Sequence, residues 1–124
     1  MRLLLDSHAL LWAILSPEKL NDRARREIAN CPRLYFSAAS VWELEIKRSR
    51  EKLFLPSDWV EIAESQGFTE LPVSARHARQ TGQLPWHHRD PFDRILLAQA
   101  QVEGLVFASR DRFAPLYQVP LLEV

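Results

Sequence analysis

Short apolar runs alternate with amphipathic stretches along almost the whole chain. Arg2 to Leu5 is an apolar run closed by Asp6, the signature of a short buried strand. Leu10, Leu11, Ile14 and Leu15 then recur at helical spacing, and Pro17 ends that stripe. A second helix is predicted from about Asn21 to Asn30, with a narrow apolar face of Leu20, Ala24 and Ile28, ended by Pro32. Leu34 to Phe36 reads as another buried strand, and Ser37 as the N-cap of a helix over about Ala38 to Arg50. Trp59 to Gln66 predicts a short helix, Phe68 to Leu71 a third strand, and Ser74 to Thr81 a further helix. The polar stretch Leu84 to Asp90 leads to Pro91, which opens a strong helix through Phe92, Ile95, Leu96, Ala98 and Val102, ending at Gly104. Leu105 to Ala108 and Leu121 to Val124 complete the strands. Strand and helix alternate, so the expected class is α/β with a central, mainly parallel sheet of four to five strands.

Composition narrows this frame. The 124 residues fit one domain, residues 1–124, with no linker, repeat or low-complexity segment. The single cysteine, Cys31, excludes an internal disulfide and a cysteine-rich zinc site. No run approaches the roughly 18 apolar residues of a membrane span, and no secretory signal pattern opens the chain, so a cytoplasmic location is expected. Sixteen basic and sixteen acidic residues cancel, which disfavours binding to nucleic acid by bulk charge alone.

Chemistry enters with the acids. In an open parallel sheet, ligands bind beyond the carboxyl ends of the strands, near the reversal of strand order. Asp6 follows the first strand, Asp111 the fourth, Asp93 falls in the first turn of the late helix, and Glu43 lies in the helix leaving the second strand. Two carboxylates about 5 Å apart repel by roughly 3 kcal/mol at an effective dielectric near 20, so a cluster of four must take up protons or bind hard cations. Oxygen donors favour Mg²⁺ or Mn²⁺, which suits phosphodiester hydrolysis. Structural roles compete: Asp6 as a helix cap, Glu43 in a capping box with Ser40 or a pair with Lys47, Asp90 as the cap beside Asp93, and Asp111 as the cap of a final short helix.

The same segments resemble the PIN-domain family, most closely the VapC-type toxins of bacterial toxin–antitoxin pairs. "LLLDSHALLWAI" is similar to the family's first strand and helix, with Asp6 as its first acid. "FSAASVWELEIKRSREKLFLP" resembles the segment of the second acid, which falls on Glu43 rather than Glu45. "HHRDPFDRILLAQAQVEGL" aligns the third acid with Asp93, and "FASRDRF" the fourth with Asp111, with Ser109 in place of the commoner threonine. Between Arg48 and Lys52 there is no glycine where relatives often carry one. The resemblance implies a three-layer α/β/α endoribonuclease using one or two Mg²⁺ or Mn²⁺ ions, an antitoxin that blocks the site, and a homodimer. Asp6, Glu43, Asp93 and Asp111 would be both catalytic and metal-binding, with Ser109 supporting them.

Lys47, Arg48, Arg50 and Lys52, and separately His87, His88 and Arg89, are local basic clusters suited to RNA phosphates. Of the tryptophans, Trp42 is expected to be buried, and Trp86 is the candidate for base contact. Leu53, Phe54 and Leu55 are expected in the core. The alternative reading is a PIN-like RNA- or partner-binding module whose metal site is inactive. Phosphotransfer on a similar fold is disfavoured, because Asp6-Ser7-His8 lacks the Asp-x-Asp of a haloacid-dehalogenase-type phosphatase and no receiver-like acidic pair precedes a phosphoacceptor.

Overall fold

The computed structural model describes residues 1–124 and places five strands in one sheet, ordered β3-β2-β1-β4-β5. The strands are β1 (Arg2–Leu5), β2 (Arg33–Ser37), β3 (Phe68–Leu71), β4 (Val106–Ser109) and β5 (Leu121–Glu123), and every pairing is parallel. The helices are α1 (Ser7–Leu15), α2 (Asp22–Asn30), α3 (Ala38–Ser49), α4 (Trp59–Ser65), α5 (Ala75–Gln80) and α6 (Pro91–Glu103). The predicted strands and helices all form, with ends shifted by one or two residues.

Alternation along β1 shows why the sheet needs two helical layers. Leu3 and Leu5 join a core with Leu10 and Ile14 of α1, Ala24 and Ile28 of α2, and Trp59 of α4. Leu4, pointing the other way, packs with Leu96, Leu97 and Ala100 of α6 and with Phe107 and Tyr117. All three β1 leucines are wholly buried, so both faces of the central strand are covered. The result is three layers, α/β/α.

Local chemistry sets the element ends. Asn21 and Ser37 cap α2 and α3 through their side chains. Asp90 accepts from the Phe92 and Asp93 amides, with Pro91 following, and Gly104 closes α6 at φ +68°, where a Cβ is disfavoured. Three apolar positions depart from expectation. Leu15 is 41% exposed because it turns about 100° past Ile14, off the buried stripe. Phe54 is 94% exposed, while Leu55 beside it is buried. Trp42 is 64% exposed rather than buried: its ring stacks edge-on against Phe92 along a groove with Ala38, Ile46 and Ile95, between α3 and α6.

The chain runs β1, β2, β3 outward on one side and returns to lay β4 against the free edge of β1. Strand order therefore reverses between β1 and β4, and the crevice for a ligand lies at the carboxyl ends of those two strands.

Candidate functional site

Asp6 follows the last residue of β1, and Ser109 ends β4, at that reversal. Asp6 serves two purposes at once. Its Oδ1 accepts from the Ala9 amide at 2.8 Å and caps α1, and its Oδ2 accepts from the Ser109 hydroxyl at 2.6 Å. Ser109 in turn accepts from the Asp111 amide at 3.0 Å, which turns the chain after β4. Asp111 therefore sits beside Asp6 through one shared hydroxyl, and Phe113, not Asp111, precedes the short 3₁₀ turn Ala114–Tyr117.

Glu43 comes in from α3. Neither of the local partners weighed for it holds: its Oε1 accepts from the Ser7 hydroxyl at 2.5 Å, across 36 residues of sequence. Ser7 opens α1 next to Asp6, so one hydroxyl ties the second-strand helix to the first strand's end. Asp93 occupies the third position of α6, and its Oδ2 meets His88 Nε2 at 2.9 Å. His88 Nδ1 accepts from the Asp90 amide, which leaves the proton on Nε2 to be donated to Asp93. His88 thus holds an acid rather than standing free for a phosphate.

These acids lie near enough to feel one another's charge. The Asp93 carboxyl is pushed up from 3.8 to about 7, first by burial and then by the charges of Asp90, Asp6, Glu43 and Asp111. Asp6 is raised as well, mainly by burial and also by Asp111, against the pull of Ser109, the Ala9 amide and His8. A carboxylate in the first turn of a helix gains about 0.3–1 kcal/mol from the helix dipole, and here that is overridden. The four carboxylates do not close on one point, since no three His, Cys, Asp or Glu side chains converge to metal-ligand geometry. Asp6, Glu43 and Asp93 are each held by a neighbouring hydroxyl or imidazole, and like charge opposes closer approach. The donor set is all oxygen with surplus negative charge. It fits a hard divalent cation, whose charge would offset the repulsion that adds to burial in raising Asp93.

The basic candidates divide. Arg48 is engaged, its Nε on the Leu55 carbonyl and its Nη1 3.5 Å from Glu45, so it braces the turn after α3. Lys47 lies in the last turn of α3 and Arg50 caps its end, about 6 and 10 Å along the helix from Glu43 at 1.5 Å per residue. Arg89 is exposed beside His88.

One residue of this region escaped sequence reasoning. Arg94 is only 5% exposed and donates to the carbonyls of Thr81, Leu84, Pro85 and His88 at 2.9–3.1 Å. A single guanidinium thereby fixes the loop that delivers His88 to Asp93. Beside an acid in the first turn of a helix, an arginine reads as solvated, and nothing local signals four carbonyls folding back onto it.

Comparison with known proteins follows this geometry. The family model described as PIN domain matches residues 3–117. A search of curated proteins finds no match. Among solved structures, the chain resembles one in DNA-bound VapBC from Salmonella typhimurium, at 19% identity and TM-score 0.70, over 99% of this chain and 98% of that one. A chain in VapBC2 from Rickettsia felis, bound to a DNA fragment from its promoter, matches at 14% identity and TM-score 0.71, over 99% and 98%. A chain in FitAcB from Neisseria gonorrhoeae matches at 20% identity and TM-score 0.68, over 98% and 96%. At these identities the likeness is one of fold.

Proposed function

The chain belongs to the PIN-domain family, and from that premise we propose that it is a metal-dependent endoribonuclease, the toxin of a toxin–antitoxin pair. The observation that carries this reading is the gathering of acids at the β1/β4 reversal, where burial first, and then the charges of Asp90, Asp6, Glu43 and Asp111, raise Asp93 to about 7. Asp6, Glu43, Asp93 and Asp111 would hold one or two Mg²⁺ or Mn²⁺ ions. A bound ion of this kind supplies an activated water and stabilises charge on a phosphodiester in in-line displacement.

The chain's own residues do the positioning. Ser109 fixes Asp6 and the Asp111 turn, Ser7 fixes Glu43, and His88 fixes Asp93. Such partners stop a ligand from rotating away and typically matter 10- to 100-fold in affinity or rate. Lys47, Arg50 and Arg89 offer cations for the RNA backbone, with Arg48 behind them as a brace, so neutral net charge is no obstacle.

A protein antitoxin that covers the site is part of the same proposal. Its support is that the similar folds were solved as VapBC and FitAcB assemblies. A homodimer and a cytoplasmic site of action complete the reading. No helix is long and apolar enough to cross a membrane.

The test is cleavage of structured and single-stranded RNAs by the purified chain, with Mn²⁺ or with EDTA, beside a folded Asp6→Asn variant. Loss of cleavage in EDTA and in the variant supports the nuclease. RNA binding without metal-dependent cleavage on any substrate favours the alternative, a binding module with an inactive metal site. Cleavage that survives both controls rejects the assignment of Asp6.

A further inference from the structure

Trp86 is 74% exposed on the loop leading to Asp93, yet its ring is not free to wander. The Arg94 guanidinium carbon lies 3.8 Å from the ring centroid, covering one face. That guanidinium is itself fixed, its edges donating to the carbonyls of Thr81, Leu84, Pro85 and His88. The carbonyls hold the cation in plane and the cation holds the indole by its face. What remains is one open indole face presented in a set orientation.

The surroundings say what that face would take. Thr81, Gly82, Trp86, Arg89, Pro91 and Arg94 line a recess of about 270 Å³. Arg89 is exposed and belongs to none of the chain's ion pairs. Between Trp86 and Arg89 in sequence stands His88, whose Nε2 is bonded to Asp93. An open ring and an unpaired cation thus line one recess, and the loop that carries both reaches an acid through His88. A single-stranded nucleic acid presents a flat base with a phosphate beside it, which suits a ring and a cation in one recess.

We propose that Trp86, backed by Arg94, is a stacking platform for an unpaired nucleobase of the RNA, and that Arg89, on the same recess, takes a backbone phosphate next to this base. The proposal rests on the ribonuclease reading and adds a base subsite to it. Stacking of this kind tolerates any base, so the platform orients the strand and leaves sequence choice to other contacts. Substrates with an unpaired base at this point are favoured over continuous duplex, whose bases are already stacked on one another.

The experiment is fluorescence anisotropy of a labelled single-stranded oligoribonucleotide in EDTA, where binding is read without turnover. Trp86→Ala should weaken binding about 5-fold or more, and Trp86→Phe should restore most of it. Arg89→Ala should weaken binding and lower the slope of log affinity against log salt by roughly one. Phe54→Ala, an exposed aromatic beyond the end of α3, serves as the control and should change nothing. Quenching of tryptophan emission by the oligonucleotide should be smaller in Trp86→Phe, with the exposed Trp42 beside Glu43 still able to report. Unchanged affinity in Trp86→Ala overturns the platform, as does a loss that Phe fails to restore, a loss shared by Phe54→Ala, or no binding by the wild-type chain. A platform bound by a protein partner instead would show as weakened partner binding with RNA affinity intact, which also overturns it. Wild-type binding that depends on Trp86 with no metal-dependent cleavage rejects the nuclease reading and leaves the platform standing.

Discussion

Two histidines in this protein make nearly the same bonds at opposite ends of α6. His77 accepts from the Ser74 amide at Nδ1 and meets Glu103 with Nε2 at 2.8 Å; His88 accepts from the Asp90 amide at Nδ1 and meets Asp93 with Nε2 at 2.9 Å. The first pair closes a capping box on α5 and ties it to the last turn of α6, with the imidazole side chain 4% exposed. The second ties a loop to the first turn of α6, with the imidazole 22% exposed. A histidine–carboxylate pair is therefore no mark of a site by itself. What separates them is the company: Asp93 feels Asp90, Asp6, Glu43 and Asp111, and burial and those charges raise it to about 7. One pair stabilises the fold, and the other restrains a carboxylate that has too many like neighbours.

The sharpest way to break this contrast is to remove one charge from each pair. Asp93→Asn should lower RNA cleavage about 100-fold or more, since the proposed ligand is lost, whereas Glu103→Gln should leave kcat/KM within about twofold. Equal losses in the two variants would merge the pairs and reject the distinction. Stability should rank the other way. His77→Ala strips a buried imidazole from three partners and should cost about 2–3 kcal/mol in urea denaturation, while His88→Ala should cost about 1 kcal/mol.

The pH dependence sharpens the comparison further. Asp93's folded value of about 7 lies above the ordinary 3.8, so between these the folded protein keeps a proton that the unfolded chain has released. The stability this supplies is whole below pH 3.8 and is lost as pH rises toward and through about 7. With EDTA present, and allowing for water's access to the carboxyl, denaturation at pH 4.5 and 7.5 should reveal about 2 kcal/mol from this group. Asp93→Asn should remove that part of the slope and Glu103→Gln should not. Mn²⁺ should raise stability at pH 7.5 by binding only the folded chain. No change with Mn²⁺ would count against a cation site.

A smaller effect lies outside both pairs. The turn after α3 lacks a glycine, and Glu51 takes the left-handed conformation there at φ +56°. Glu51→Gly should stabilise the protein by about 1 kcal/mol in the same denaturation assay. A loss of stability would mean that the Glu51 side chain contributes more than its backbone costs.

Much of this site could be anticipated from sequence because strand–helix alternation fixes which sheet edge an acid occupies. Asp6 and Asp111 follow strands and Asp93 opens a helix, so their common edge needed no tertiary information. Glu43 required the resemblance to choose it over Glu45, since periodicity along α3 does not say which carboxyl reaches α1. Ser7 lay beyond view because its partner is 36 residues away. Arg94 was missed because its four carbonyl partners come from a polar loop without periodicity. Trp42 was misjudged because it falls on a different helix face from Glu43, which reads as a core face, while burial along α3 is decided by how far α6 closes over it. Local pattern carried the scaffold, and loop closure and helix packing supplied what it could not.

The most direct measurement is Mn²⁺ binding at pH 7.5 by electron paramagnetic resonance, on the wild-type chain, Asp93→Asn and His77→Ala. The account predicts saturable binding by wild type, weakened at least tenfold in Asp93→Asn and unchanged in folded His77→Ala. No saturable binding by wild type, or equal affinity in Asp93→Asn, would contradict the claim that these acids form a divalent-cation site.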